Sequence, residues 1–428
     1  MKLDNGISSK KRLIRVAQRF SLLFASGIVA LFAAELILAA AGFPTDVPLR
    51  VGHSPNMDER IKNLDFEYVF RTNSQGLRER EIPLTNTSGA IRVFMSGDSF
   101  TEGVGVPDDK RFTRILEQML NRTGRSVTCI NGGLNGTGPL EYGRVFLHVG
   151  LKYSPEVLFI CLYPNDVANT PYRSDKASLD YFLTYKTDEF VKRLVYRLLP
   201  RIYTRLRQIK QDRDYRKRTE TTDFMATITE EARARGISKD KIQVWQSSIP
   251  REFWQAVNRG EMGGHLLSHG LLYPEYWTDS LDISGPRAQQ KYENMTAILS
   301  DLTQRARDLE VKVGLIYFPC PYQYDHSFHE DTNPMKMSGT SIRYDWLHGK
   351  AELQVRLEAW AAANTVPFLD LTPVFRVAAE HGQQLNYKLD GHWNPAGHEL
   401  AAKAIADWAQ DCKILDRETT KVDIGDGQ

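Results

Sequence analysis

At 428 residues the chain is too long for one small core, so one large domain carrying an insertion, or two domains, is expected. A composition of 42% hydrophobic and 25% charged residues is that of a globular protein, and no internal repeat or low-complexity segment interrupts it. The net charge of +2 gives no support for nucleic-acid binding, and four scattered cysteines without a C-x-x-C or Cys/His cluster argue against a disulfide framework or a zinc site.

The chain opens with a basic flank, residues 1–19, in which Lys2, Lys10, Lys11, Arg12, Arg15 and Arg19 face one acid, Asp4. Residues 20–43 are then apolar apart from Ser21, Ser26 and Glu35. These 24 residues can cross a bilayer, which needs about 20. The flank would stay in the cytoplasm and the rest of the chain would lie outside. Ala39-Ala40-Ala41 offers a cleavage site for a signal peptide, and a core helix is a third reading. The run exceeds the usual h-region of about 7–15 residues, which favours an uncleaved anchor. Glu35 is costly in lipid unless it lies near the outer interface, which its late position allows. The simplest case is a single-pass bacterial inner-membrane protein whose catalytic domain faces the periplasm.

Residues 44–90 are polar and turn-rich and read as a linker, in which Asn73 to Arg78 suggests a tight turn followed by an arginine able to pin the linker to the domain. From residue 91 buried-strand signals alternate with helical ones, as a parallel doubly wound sheet requires. The strands are expected at Arg92–Met95, Val127–Ile130, Val157–Leu162, Val311–Phe318 and Val366–Leu369. Helices are expected near 111–122, 139–151, 287–309, 350–363 and 395–411. The core therefore divides into 91–170 and 286–413, with a mostly helical insertion at 171–285 and a polar tail at 414–428.

Between Lys192 and Arg218 the insertion holds eleven Lys/Arg and two acids, while Leu194, Leu198, Ile202, Leu206 and Ile209 recur at helical spacing. This is a basic amphipathic helix kinked at Pro200, suited either to an anionic membrane surface or to docking by its apolar stripe. Trp245, Phe253, Trp254, Tyr273, Tyr276 and Trp277 are candidates for a sugar-binding cleft, with burial the plainer reading for most.

Four local signals carry chemistry. Gly97-Asp98-Ser99 closes the first strand, and a serine in such a turn is a candidate nucleophile once a histidine base is found. The G-x-S-x-G elbow of ordinary α/β-hydrolases is absent from the sequence. Asn131 to Gly138 is a glycine-rich loop after the second strand, able to offer N–H groups to an oxyanion, and its spacing fits neither a dinucleotide fingerprint nor a P-loop. Tyr163-Pro164-Asn165-Asp166 closes the third strand, where the Asn165 amide can donate to a developing oxyanion. Asp390-Gly391-His392-Trp393-Asn394-Pro395 precedes the last helix, with Asn394 and Pro395 as its start signals. Asp390 stands close enough in sequence to orient the His392 ring.

Gly97-Asp98-Ser99, Gly136, Asn165 and Asp390/His392 together resemble, in order, the four blocks of the SGNH (GDSL-type) hydrolase superfamily. The resemblance implies a three-layer α/β/α sandwich around a five-stranded parallel sheet. It also implies Ser99 as nucleophile, His392 as base and Asp390 as third triad member, with an oxyanion hole from the Ser99 N–H, the Gly136 N–H and the Asn165 side chain. Many members space acid and base as Asp-x-x-His, whereas this chain has Asp-x-His, as in membrane-anchored and alginate-acetylation-type branches. Asp370 is therefore held in reserve as the acid, and His398 is expected to pack on the final helix. Neither cofactor nor metal is called for.

An enzyme of this kind forms an acyl-enzyme, which water resolves in an esterase or deacetylase and a sugar hydroxyl resolves in an O-acyltransferase. A tethered periplasmic domain favours an acylated glycan as substrate, with deacetylation as the leading reading and O-acetylation of an exopolysaccharide as its alternative. A membrane acyltransferase or a polysaccharide-assembly protein is a candidate partner. A lipase or phospholipase acting at the membrane surface, and a non-catalytic glycan-binding scaffold, are the remaining alternatives.

Overall fold

The computed structural model describes residues 4–42, 52–171, 194–195, 197–203, 205–206, 209 and 223–417. The remainder of the basic segment to Arg218, and the tail beyond Arg417, lie outside the described residues. The chain divides into two compact units, Met1–Arg50 with Tyr185–Thr221, and Val51–Thr184 with Thr222–Gln428.

In the first unit, α1 runs from Asp4 to Ala40. Its part Ser21–Ala40 is long and apolar enough to cross a membrane, as a signal sequence or a single anchor. Residues 200–203, 205–206 and 209 are helical, and Leu199, immediately before Pro200, is not. A proline lacks the N–H needed to continue the ladder, which accounts for the break.

The second unit is built on a five-stranded parallel sheet. A two-stranded hairpin, β1 (Asp58–Lys62) and β2 (Glu67–Arg71), precedes it. The sheet strands are β3 (Ile91–Gly97), β4 (Val127–Gly133), β5 (Val157–Leu162), β6 (Lys312–Tyr317) and β7 (Phe368–Asp370), in the spatial order β4-β3-β5-β6-β7. Val93 pairs with Cys129 on one side and Val157 on the other. Residues alternate between the two faces, as the strand repeat demands. Val93, Met95, Phe159 and Cys161 join one apolar cluster, while Phe94, Leu158, Ile160 and Leu162 join the other. Both faces are covered, so the strands read as unbroken apolar runs.

On the first face α3 (Phe112–Arg122) lies against the last helix, Pro395–Asp411. The second face is covered by α4 (Pro139–His148) and the long helix Gly285–Asp308. Helices 224–234, 239–248, 251–258, 265–272 and 276–281 of the insertion contribute Ile228, Trp245, Trp254, Leu267 and Trp277 to the first cluster. Trp245 is buried, and its indole N–H donates to the Leu267 carbonyl at 2.8 Å. Trp254 is buried as well, Phe253 half-buried and Tyr273 exposed under the Arg235 guanidinium.

Residues 52–90 are not the solvated linker expected from composition. Tyr68, Phe70, Leu77 and Ile82 are buried. The expectation fails because each hairpin strand has only five residues, of which β2 alternates in and out too briefly to stand above its charged neighbours. The expected turn and pin are both present. Asn73 Oδ1 accepts from the N–H groups of Gln75 and Leu77. Arg78 is fully buried under the Tyr68 ring and donates to the carbonyls of Glu102, Gly103 and Val106. Those carbonyls follow the Gly-Asp-Ser turn, so Arg78 ties the segment to the turn that carries Ser99. Arg78→Met strands three buried acceptors, and its expected cost is about 3–5 kcal/mol, read as a lower urea midpoint. An unchanged midpoint would show that the pin contributes nothing.

Candidate active site

The strand order brings the candidate residues to one place. Chain connections run from β3 to β4 on one side and then to β5, β6 and β7 on the other, so a crevice opens at the carboxyl ends of β3 and β5. Ser99 follows β3 and opens the short helix α2 (Ser99–Glu102). Asp98 caps that helix by accepting the Phe100 N–H at 2.9 Å. Burial lifts the Asp98 carboxyl to about 6, against the Phe100 N–H, His392 and Asn165, which favour its charge. At the end of β4, a side chain on Gly133 would clash with the backbone of Glu102 and Thr101, so only glycine lets this loop close on α2.

His392 enters from the far end of the chain. Its Nε2 stands 2.7 Å from Ser99 Oγ. Its Nδ1 is hydrogen-bonded to Asp390 Oδ1, which also accepts the His392 backbone N–H at 3.3 Å. Asp370, the reserve acid, faces elsewhere and accepts from the Gln354 amide and the Thr372 N–H at 2.8 Å each. His398 is buried, accepts the Phe112 N–H at 3.3 Å and is pushed by burial down to about 3.

Tertiary packing holds the histidine loop. Trp393 is completely buried against Phe100, Phe112, Phe318 and Phe375. Asn394 accepts from the N–H groups of Ala396 and Gly397, capping the last helix as expected. Gly391 adopts a φ of +86°, open to glycine at little cost, and its carbonyl accepts from Asn386 at 2.8 Å. Asp65, in the hairpin turn between β1 and β2, accepts the N–H groups of Leu389 and Asp390 at 2.8 and 2.7 Å. This aspartate and the His53–Glu102 pair at the base of α2 had no motif to mark them.

The electrostatics suit proton transfer. Burial is the largest influence on His392 and opposes its charged form, yet the surrounding carboxylates, Asp390 foremost with Asp98 and Glu102, together raise the ring's pKa. Burial likewise disfavours the Asp390 charge, while His392 overcomes it and holds the carboxyl below its usual range. Asp166 has another task. It accepts from the Tyr142 hydroxyl and the Tyr163 N–H, bracing the turn from which Asn165 projects.

Ser99, His392, Asp390, Gly136 and Asn165 all line one cavity of about 300 Å³. The glycine at 136 has a φ of +72°. Of the aromatic residues considered for a cleft, Tyr276 and Trp277 reach the cavity, joined by Tyr163 and Tyr322. The insertion also supplies His265 and His269. His269 stacks on Tyr276 at 4.2 Å and is pushed by burial down to about 3, so it is neutral at working pH. Neither histidine was singled out in the sequence, because neither sits in a turn with an acid beside it.

Comparison with protein families matches residues 330–427 to the SGNH hydrolase-like domain of the acetyltransferase AlgX, a stretch that contains Asp390 and His392. The five-stranded parallel sheet, with apolar clusters on both faces, is the α/β architecture expected from the sequence. Among solved structures, the chain is similar to the acetyl xylan esterase AlAXEase at 11% identity, covering 74% of this chain and 98% of that one with a TM-score of 0.35. A lipase/acylhydrolase from Enterococcus faecalis matches at 12% identity over 75% and 96% of the two chains, with a TM-score of 0.34. The esterase EstA from Pseudoalteromonas sp. matches at 10% identity over 75% and 98%, with a TM-score of 0.32. Curated proteins give no match.

Proposed function

We propose that the chain is an exported O-acetyltransferase that moves an acetyl group onto a hydroxyl of an exopolysaccharide, using Ser99, His392 and Asp390 as its triad. The observation that carries the chemistry is the 2.7 Å contact between His392 Nε2 and Ser99 Oγ inside a cavity that also holds Gly136 and Asn165. The preference for transfer over the deacetylation first expected rests on the AlgX match at residues 330–427.

In the first half-reaction Ser99 Oγ attacks the donor's ester carbonyl while His392 Nε2 takes its proton. Asp390 keeps the ring in the tautomer that presents a free Nε2 and stabilises the imidazolium. The developing oxyanion is held by the Ser99 N–H, the Gly136 N–H and the Asn165 side chain. His392 then protonates the leaving alcohol. In the second half the sugar hydroxyl gives its proton to His392 and attacks the acetyl-serine, which releases Ser99 and the acetylated sugar.

The aromatic faces of Tyr276, Trp277 and Tyr322, with the side-chain amides of Asn135, Asn169 and Asn333, line the same cavity and fit a pyranose with its hydroxyls. Deacetylation is the second reading, because water entering this cavity would meet the acetyl-serine with the same base in place. With p-nitrophenyl acetate as donor and oligosaccharides cut from the producing cell's own deacetylated exopolysaccharide as acceptor, the expected result is an oligosaccharide heavier by one acetyl group in the mass spectrum. Free acetate alone, at a rate the acceptor does not alter, would establish the deacetylase instead.

A further inference from the structure

Glu35 interrupts the apolar part of α1 and is nonetheless buried. Its partners lie in residues 194–209, within the same compact unit. Glu35 Oε1 accepts the Arg201 N–H and Oε2 the Ile202 N–H, both at 3.0 Å. The Arg201 guanidinium stands 3.4 Å from the same carboxylate. These two N–H groups follow the break at Leu199–Pro200 and open a new helical stretch. The first N–H groups of a helix lack an intrahelical acceptor, and in hydrocarbon no water can supply one. An acid in the apolar helix and a proline in the basic helix, each unfavourable alone, answer one another.

The side chains beyond that clamp are unusual for a water-facing surface. Leu194, Leu198, Leu206 and Ile209 are 44%, 48%, 62% and 51% exposed. They belong to the segment with eleven Lys/Arg and two acids between Lys192 and Arg218. Exposed leucines beside a dense positive charge complement one surface, a bilayer with anionic headgroups. The depth agrees as well. Glu35 lies five residues before the end of α1 at Ala40, about 7 Å along the axis. An interfacial helix buries its apolar face about 5–10 Å below the headgroups.

We propose that α1 is retained as a membrane anchor and that the described residues between Leu194 and Ile209 lie in the outer interface of the same bilayer, clamped to α1 by Glu35, with Leu198 and Leu206 among the acyl chains. Cleavage after Ala41 would remove the acceptor for two backbone N–H groups of the exported chain, so the clamp and a cleaved leader are incompatible.

Two measurements on the full chain test this. Intact mass of the protein extracted from bacterial inner membranes is expected to include residue 35, and an amino terminus beyond Ala41 overturns the proposal. Nitroxides are then placed at Leu198→Cys and Leu206→Cys in a Cys412→Ser background, the other three cysteines being buried. In phosphatidylcholine/phosphatidylglycerol nanodiscs, both labels are expected to collide with oxygen several-fold more than with a water-soluble nickel chelate. Glu35→Ala is expected to move both labels toward water. Labels as open to the nickel chelate as free nitroxide, in a chain that keeps α1, would overturn the interfacial assignment. Neither measurement depends on turnover, so its outcome is separate from that of the acetyl-transfer reading.

Discussion

Ser99→Ala is expected to lower kcat on p-nitrophenyl acetate by about 10⁴- to 10⁶-fold, with KM little changed. Among the described residues, the hydroxyl is the hydrogen-bonding partner of His392 Nε2, at 2.7 Å, while Nδ1 is held by Asp390. Its removal leaves no oxygen to carry the acyl group, and residual turnover would come from the oxyanion donors and binding alone. Alanine fits the site without repacking, so the variant is expected to keep the wild-type melting temperature. If the proposed transfer is the reaction in cells, acetylation of the exopolysaccharide should disappear with it. Unchanged turnover sinks the catalytic assignment, and unchanged function in cells with lost turnover would point to the glycan-binding scaffold.

Asp390→Asn is expected to cost about 10³- to 10⁴-fold in kcat, whereas Asp370→Asn should stay within about threefold. The geometry supports the difference, since Asp390 bonds to the His392 ring while Asp370 is taken by Gln354 and Thr372. The pH profile gives an independent reading. His392 must be neutral to accept the Ser99 proton, so activity rises with pH through its pKa. In the wild type Asp390 raises that pKa against burial, which places the acid limb of kcat/KM above the ordinary histidine value of about 6.5. With asparagine the charge is gone and burial remains, so the limb should move to lower pH in the residual activity. A large loss in Asp370→Asn together with a small one in Asp390→Asn would reverse the assignment.

What could be read in advance was local. The five sheet strands stand within a few residues of their expected positions, because the four strands buried on both faces, and the half-buried edge strand β7, announce themselves as apolar runs ended by turn residues. The same holds for Asn394 and Pro395, whose capping chemistry is complete within four residues. The hairpin at 58–71 was missed because its strands are short and charged, so its signal lies in the partner it packs on.

The candidate serine, histidine, neighbouring aspartate and Asn165 were legible from residue type and turn chemistry, while the full triad and the oxyanion donors Ser99 N–H and Gly136 N–H came only with the resemblance to a known set of motifs. Their meeting was a matter of topology. The reversal of strand order at β3 sets the ends of β3 and β5 side by side, and buried Trp393 brings a loop nearly three hundred residues away onto Ser99. Residues that act only through such distant contacts left no trace in the sequence. Asp65 holds the backbone of Asp390 across 325 positions, and His265 and His269 reach the cavity only because the insertion folds over the strand ends. Glu35 looked costly for the same reason, since what neutralises its cost is a pair of N–H groups 166 and 167 residues further on. The sequence by itself determined the sheet, the reactive turn and the histidine loop, because these rest on apolar periodicity and turn chemistry within a few residues. The tertiary structure alone decided which acid faces the histidine, what braces it and what lines the cavity, because those depend on contacts between segments far apart in the chain.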